Sequence, residues 1–266
     1  MIKAIALDLD GTLLNDKKEV TDRSVNILRK LYKKGIEILI VTGRPYASTT
    51  KIIDRLGIPM TAICYNGGKI IDTVSGEILE NKLLPENIAI KLFEYIEEKK
   101  LNLNIFMDEK WYANDLDSES VQIYKKNSGL IPTKMDIKTF PKNNITKGVL
   151  IGKTEILENY KKELESLIGK DSYITFTQPL YLEILNKDIN KGKALKRILE
   201  LKNIDINQCI AFGDAENDKE MLQVVGINVA MKDSIEELKE ICTYVTKNSN
   251  NDDGVAKFLE EYFNEK

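Results

Sequence analysis

The stretch from Ala6 to Leu14 reads "ALDLDGTLL". An apolar run, "IKAIAL", leads into Asp8 and Asp10, and Gly11 and Thr12 follow at once. Read as the end of a buried strand, the segment sets Asp8 and Asp10 on one face while Leu9 points away. Buried carboxylates are costly unless they are paired or bound to a metal. The rest of the chain must supply that partner. Taken alone, the string has a competing reading, in which one aspartate caps the next turn and the other is solvated.

Outward from this stretch, apolar strands alternate with helical patterns. Thr21 to Lys34 has helical spacing, with Val25, Leu28 and Leu31 on one side and Thr21 as N-cap. "IEILIVT" is a second strand, Tyr46 to Leu56 a second helix, and "TAICYN" a third strand closed by Gly67 and Gly68. The pattern returns near the C-terminus. There, helices at 191–201, 217–224, 234–241 and 253–263 are interleaved with "QCIAFGD", "GINVAM" and "TYVT". Such alternation predicts a parallel sheet covered on both faces.

The middle of the chain differs. Hairpins are expected around Ser75-Gly76 and Asp108-Glu109, and helices from Pro85 to Lys100 and from Asp117 to Lys126. The strand "KGVLIG", the helix "EILENYKKELESLI" and the strands "SYITFT" and "YLEIL" complete an α+β pattern. The fold class is therefore α/β, with a discontinuous core at 1–82 and 187–266 and an inserted domain at 83–186.

Composition narrows the chemistry. Of 266 residues, 42% are hydrophobic and 30% charged, which suits a soluble chain with a packed core. The net charge of -3 gives no basic field for nucleic acid or an anionic membrane. No apolar run approaches the roughly 20 residues of a membrane helix. Lys3, Asp8 and Asp10 come too early for a signal peptide. Cys64, Cys209 and Cys242 fit neither a disulfide framework nor a zinc pattern, so a cytoplasmic setting is expected. The chain contains no histidine. That removes Ser-His and Cys-His triads and leaves acid–base work to carboxylates, lysine, tyrosine or bound water. Abundant aspartate without histidine favours a hard cation held by oxygen ligands.

Three further segments point the same way. In "IVTGRP", Thr42 offers a hydroxyl, Gly43 frees an N–H, and the following helix aims its positive end at the same place. Together these make an anion site of the phosphate-cradling kind, although Thr42 alone could be a plain N-cap. In "NKGKAL", Lys191 opens a helix where the dipole disfavours a cation, so a neighbouring anion explains it better than solvent does. Lys187 and Lys193 are its competitors. In "AFGDAENDKEML", an apolar strand ends at Gly213-Asp214, and Asn217 and Asp218 fall in the next helical turn. All four segments belong at the C-terminal edge of a parallel sheet, where open α/β sheets bind ligands. Asp8, Asp10, Asp214 and Asp218 are then oxygen groups for Mg²⁺, which takes one or two carboxylates with waters and a phosphate oxygen. Thr42, Gly43, Lys191 and Asn217 are phosphate partners. The opening aspartates are thus read as meeting a metal and a phosphoryl group.

In this order, "DLDGT", "TGR", "KG.AL" and "GDAEND" resemble the four motifs of the haloacid dehalogenase (HAD) superfamily of aspartate phosphohydrolases. The insertion resembles the large α/β cap of its Cof-like, sugar-phosphatase branch, as do "YNGG" at 65–68, "YLEIL" at 181–185 and "NNDDGVAKFL" near the end. The resemblance implies a Rossmann-like parallel-sheet HAD core with an inserted α+β cap domain. It implies a Mg²⁺-dependent phosphatase of small phosphorylated metabolites, sugar phosphates foremost, with neither nucleic acid nor membrane as partner and no oligomeric state specified. Asp8 would attack phosphorus, and Asp10 would protonate the leaving oxygen and later deprotonate water. Asp8, the Asp10 carbonyl and Asp214 would ligate Mg²⁺, and Asp218 would hold a metal-bound water. Thr42, Gly43, Lys191 and Asn217 would hold phosphate.

Arg44, Asn66 and Glu183 are candidate substrate contacts, with Lys147 and Tyr181 behind them; Glu183 could accept hydrogen bonds from sugar hydroxyls. Trp111 and Tyr112 are read as core rather than as a substrate platform. The chain departs from the branch at "VAMKDS", where Lys232, Asp233 and Ser234 replace the usual residues beside the metal site. Two other readings stay open: a phosphotransferase or mutase on the same fold, and a non-catalytic sugar-phosphate-binding protein. Asp10 argues against the last, since a receiver that only accepts phosphate does not need a second acid.

Overall fold

The computed structural model describes residues 1–264. The chain divides into two compact units, Met1–Glu80 with the segment from Asn190 onward, and Asn81–Ile189. The sequence places the divides at 82/83 and 186/187, two or three residues away.

In chain order the elements begin with β1 (Ala4–Leu7), α1 (Asp22–Lys33), β2 (Glu37–Val41), α2 (Tyr46–Leu56), β3 (Thr61–Cys64), β4 (Lys69–Asp72) and β5 (Ile78–Asn81). There follow α3 (Glu86–Lys99), β6 (Asn104–Met107), β7 (Lys110–Ala113), α4 (Glu119–Ser128), β8 (Thr133–Lys134), β9 (Ile145–Ile151), α5 (Thr154–Ile168), β10 (Ser172–Gln178) and β11 (Tyr181–Asn186). The chain ends with α6 (Lys191–Leu201), β12 (Cys209–Gly213), α7 (Lys219–Val224), β13 (Ile227–Ala230), α8 (Glu236–Ile241), β14 (Tyr244–Val245) and α9 (Gly254–Asn264).

The first unit is built on a sheet of order β14-β13-β12-β1-β2-β3-β4-β5. Pairing is parallel from β14 to β3, and β4 then runs antiparallel to β3. Every residue of β1 is buried, which is why the segment reads as an unbroken apolar run. Thr21 caps α1 by accepting from the Ser24 N–H. Val25, Leu28 and Leu31 are buried from this helix, each contributing roughly 1.5–3 kcal/mol. From β1 the chain builds outward through β2 and β3, whereas β12 pairs on the opposite side. The order therefore reverses at β1, and the C-terminal ends of β1 and β12 frame the crevice that such a reversal opens.

One local expectation is corrected here. The sequence predicts a strand through Leu9, with Asp8 and Asp10 on one face; β1 ends at Leu7. Asp8 still donates its N–H to the Phe212 carbonyl at 3.2 Å. The chain then folds back, with Leu13 N–H on the Asp8 carbonyl at 3.3 Å and Leu14 N–H on the Leu9 carbonyl at 2.8 Å. Strand alternation therefore does not set the two carboxylates.

The second unit is a sheet of order β10-β11-β9-β6-β7-β8, antiparallel except between β7 and β8. At two residues, β8 is too short to show any alternation, and the sequence gives no sign of it. Asp108 and Glu109 take φ values of 51° and 60°, as a two-residue hairpin turn of the right twist requires. Leu92 and Ile96 of α3 and Leu157 and Leu164 of α5 share a core with Ile105, Leu150, Leu182 and Ile184 of the sheet. Trp111 is buried, donates Nε1–H to Asn104 Oδ1 at 3.0 Å and stacks on Phe106, so it is a core residue. Tyr112 packs against Phe140. No helix among the described residues is long and apolar enough to cross a membrane.

Candidate active site

The residues singled out in the first unit follow the C-terminal ends of parallel strands. Asp8 follows β1, Thr42 follows β2, and Asp214 follows β12. Asn217 and Asp218 lie in a separate short 3-10 turn, Glu216–Asp218, before α7, and not in the first turn of the helix as predicted.

Asp8, Asp214 and Asp218 each present a carboxylate oxygen within 4.8 Å of the others. Lys191 enters this cluster fully buried, its Nζ 2.5 Å from Asp8 Oδ1 and 2.6 Å from Asp218 Oδ1. The puzzle of a lysine opening a helix is thereby resolved: two carboxylates offset the dipole, and the solvated reading is excluded. Asp218 is fully occupied, because its Oδ2 accepts the N–H groups of Asp214 and Ala215 at 2.9 and 3.1 Å. Asp214 Oδ1 accepts from Thr12 Oγ1 at 2.8 Å, which gives the threonine of "DGT" a partner 202 residues away. No hydrogen bond among the described residues reaches Asp8 Oδ2.

Burial, opposed by Lys191 and reinforced by Asp218, pushes the Asp8 carboxyl up to about 7. Burial, then the charges of Asp8 and Asp218, push Asp214 well above the usual carboxylate range. Burial would lower Lys191, but Asp218 and Asp8 hold it above the ordinary lysine range. One ammonium thus falls short of neutralising three carboxylates. The shortfall, the hard oxygen donors and the lack of any histidine or thiolate in the cluster fit a divalent cation such as Mg²⁺.

Asp10 stands apart from these three. Arg44 grips it through two nitrogens, Nε to Oδ2 at 2.6 Å and Nη2 to Oδ1 at 2.7 Å, and Lys18 Nζ reaches Oδ1 at 2.7 Å. Burial would raise this carboxyl, but the hydrogen bonds and charge of Arg44, joined by Lys18, hold it at about 2. Arg44, read from the sequence as a substrate contact, is here a partner of Asp10. Lys18 carries no signal in the sequence, because "NDKKE" is indistinguishable from a solvated charge run.

Thr42 Oγ1 accepts the Arg44 N–H at 3.1 Å, whereas the N-cap of α2 is Pro45. Asn66 N–H donates to the Thr42 carbonyl at 2.9 Å, and Tyr65 N–H to the Arg44 carbonyl at 3.0 Å, so "YNGG" is stitched to the loop holding Thr42, Gly43 and Arg44. Asn66 Oδ1 in turn accepts from Asn217 Nδ2 at 2.7 Å, leaving Asn217 Oδ1 buried with no partner among the described residues. The fold thus joins Asp8, Asp10, Thr42, Gly43, Arg44, Asn66, Lys191, Asp214, Asn217 and Asp218 in one neighbourhood.

The "VAMKDS" segment meets the end of β12 where Met231 N–H donates to the Gly213 carbonyl at 3.0 Å, and just beyond it Ile235 N–H donates to the Asp214 carbonyl at 3.1 Å. Lys232 and Asp233 are exposed. Glu183 belongs to the second unit, where it is buried and ion-paired with Lys147, a pairing the sequence does not reveal. Tyr181 is buried there too, its hydroxyl accepting from Asn127 at 2.6 Å.

Comparisons with known proteins bear on the family and the fold. A family model of haloacid dehalogenase-like hydrolases matches residues 5–259. The chain is 32% identical over 264 residues to a Haemophilus influenzae protein named "Putative phosphatase", covering 98% of this chain and 97% of that one. It is 27% identical over 239 residues to an HMP-PP phosphatase of Shigella flexneri, covering 90% and 87%. Its fold superposes on a crystal structure of a haloacid dehalogenase-like hydrolase from Bacteroides thetaiotaomicron with a TM-score of 0.88 at 27% identity, over 99% and 100% of the two chains.

Proposed function

The chain belongs to the haloacid dehalogenase-like hydrolase family, and on that footing we propose that it is a Mg²⁺-dependent phosphatase of small phosphorylated metabolites, sugar phosphates foremost. It is an enzyme, and its relatives carry phosphatase names. The observation that carries the finer reading is Asp8 itself: Lys191 fixes one oxygen, and the other has no hydrogen-bond partner among the described residues.

In this reading Asp8 Oδ2 attacks phosphorus, the bond from phosphorus to the leaving oxygen breaks, and that oxygen takes a proton from Asp10. Asp10 then takes a proton from water as the water attacks phosphorus. The bond to Asp8 breaks, and inorganic phosphate is released. Arg44 and Lys18 hold Asp10 ionised, the form the second step needs as base; donating a proton requires that grip to loosen. Asp8 and Asp214, with the Asp10 carbonyl and with Asp218 behind them, would hold Mg²⁺, which supplies the positive charge that lets a carboxylate approach an anionic phosphate. Thr42, Gly43, Asn217 and Lys191 would hold the phosphate oxygens, and Asn66 would brace Asn217. Asn217 Nδ2 carries a second N–H, beyond the one given to Asn66 Oδ1, that a phosphate oxygen would accept, whereas Asn217 Oδ1, buried with no partner among the described residues, would accept from a water at the site. A cytoplasmic setting belongs to the same proposal, supported by three free cysteines.

Phosphate release from 4-nitrophenyl phosphate and from a panel of sugar phosphates tests this, with wild type and Asp8→Asn, in Mg²⁺ and in EDTA. Release that needs Mg²⁺ and vanishes in Asp8→Asn is expected. Equal release by both proteins would remove Asp8 as nucleophile. Recovery of a phosphorylated acceptor sugar in place of inorganic phosphate would instead make the enzyme a phosphotransferase.

A further inference from the structure

The turn at Asn250–Asp253 is far from Asp10 in sequence, yet its hydrogen bonds converge on the loop that delivers Lys18. Asn250 Nδ2 donates to the Leu14 carbonyl at 2.9 Å, where the loop leaves the site. Asn251 meets Asp16 twice, Nδ2 on Asp16 Oδ2 and Oδ1 accepting the Asp16 N–H, both at 2.9 Å. Asp253 Oδ1 accepts from Thr21 Oγ1 at 2.5 Å, where the loop enters α1. Both ends and the middle of the loop are thus tied to one turn.

Inside the loop, Lys18 adopts a φ of 63°, left-handed backbone that a lysine rarely occupies. Local bonds over-determine it: Lys18 N–H on the Asn15 carbonyl at 2.9 Å, Asn15 N–H on the Glu19 carbonyl at 3.1 Å, and Glu19 N–H on Asn15 Oδ1 at 3.0 Å. Such conformations persist only where the surroundings enforce them, and they gather at functional sites. The product of this enforcement is the Lys18 ammonium on Asp10 Oδ1, the oxygen that Arg44 Nη2 also holds. The Lys18 side chain is 34% exposed against 14% for Arg44, so Lys18 closes the outer side of Asp10.

We propose that Lys18 is a positioning residue for Asp10, and that the Asn250–Asp253 turn sets Lys18 through the braced loop. The inference rests on the reading of Asp10 as the proton-transferring group. A carboxylate that must give and recover a proton works only when its orientation is fixed against the leaving oxygen.

The test compares a sugar phosphate, whose alkoxide leaves poorly without a proton, with 4-nitrophenyl phosphate, whose leaving group needs little help. Lys18→Met and Asn251→Ala should each lower kcat on the sugar phosphate about tenfold, with KM within about twofold and a smaller loss on the aryl ester. Lys18→Arg should restore most of the loss. The double variant should be no worse than Lys18→Met alone, because the turn acts through that lysine. Equal losses on both substrates, or additive losses in the double variant, would overturn the proposal. Asp10→Asn separates the two layers. If it spares sugar-phosphate turnover, the reading of Asp10 fails. If it abolishes turnover while Lys18→Met does not lower it, only the role of Lys18 fails.

Discussion

Lys191 Nζ lies 2.5 Å from Asp8 Oδ1 and 2.6 Å from Asp218 Oδ1, in a position closed to solvent. The lysine is therefore part of the fold's electrostatic balance before it meets any phosphate. Lys191→Met leaves two buried carboxylates without their cation, which should cost about 3–5 kcal/mol. Urea unfolding without divalent cation measures this. Added Mg²⁺ should recover part of the loss by supplying a replacement charge. A loss below about 1 kcal/mol would show that the carboxylates find compensation elsewhere.

The raised carboxyls give a pH signature. Asp8 sits at about 7 and Asp214 is well above its usual range, so folding favours their protonated forms. The stability this contributes is complete below the unfolded value of about 4 and is lost as pH rises through about 7. A cation binds the ionised forms, so Mg²⁺ should raise Tm more at about pH 8 than at about pH 5. Asp10 works in the opposite sense, since Arg44 and Lys18 keep it ionised down to about 2. Its contribution is present above the unfolded value and is lost only as pH falls through that lower range. A Mg²⁺ shift in Tm that is equal at both pH values would contradict the assignment of Asp8 and Asp214 as the responsive pair.

Gly11 offers a steric test. It has φ of 78°, and a Cβ there would stand 2.2 Å from Asp214 Oδ2. Gly35 has a similar φ of 83° with nothing within 4 Å of its Cβ position. Gly35→Ala should therefore lose about 1 kcal/mol from backbone strain alone and keep its activity. Gly11→Ala should lose a similar amount of stability or somewhat more, and about a hundredfold in phosphate release, because Asp214 is pushed out of place. Paired unfolding curves and initial rates check both. Similar activity losses in the two variants would show that strain, not the displaced carboxylate, is responsible.

The sequence discloses the parallel core because its central strands are buried on both faces and read as apolar runs, as in β1 and β12. It discloses Thr21, the start of α6 at Lys191 and the cluster at Asp8, Asp214 and Asp218 because caps and short motifs are local signals. It does not disclose where β1 stops, since the neighbouring strands and the fold-back at Gly11 decide that. It hides the grip of Lys18 on Asp10, because a charge run looks the same in solvent and in a site. The Asn66–Asn217 bond joins positions 151 residues apart, and the pairing of Lys147 with Glu183 depends on strand register. Neither is encoded in any local pattern.

That last pair supplies a prediction for the second unit. Lys147 on β9 and Glu183 on β11 are both almost wholly buried, and the ammonium also lies 5.1 Å from the centre of the Phe106 ring. Removing either partner alone strands a charge, so Lys147→Met or Glu183→Leu should each cost about 3–5 kcal/mol. The double variant should lie closer to wild type than the sum of the single losses, since a buried pair exchanged for apolar side chains is often near neutral. Urea unfolding of the four proteins gives the coupling directly. Kinetics of the milder Glu183→Gln then separate structure from substrate contact. If Glu183 also receives sugar hydroxyls, as its place in "YLEIL" suggests, KM for sugar phosphates should rise while KM for 4-nitrophenyl phosphate stays level. Parallel changes in the two KM values would confine Glu183 to its structural pairing.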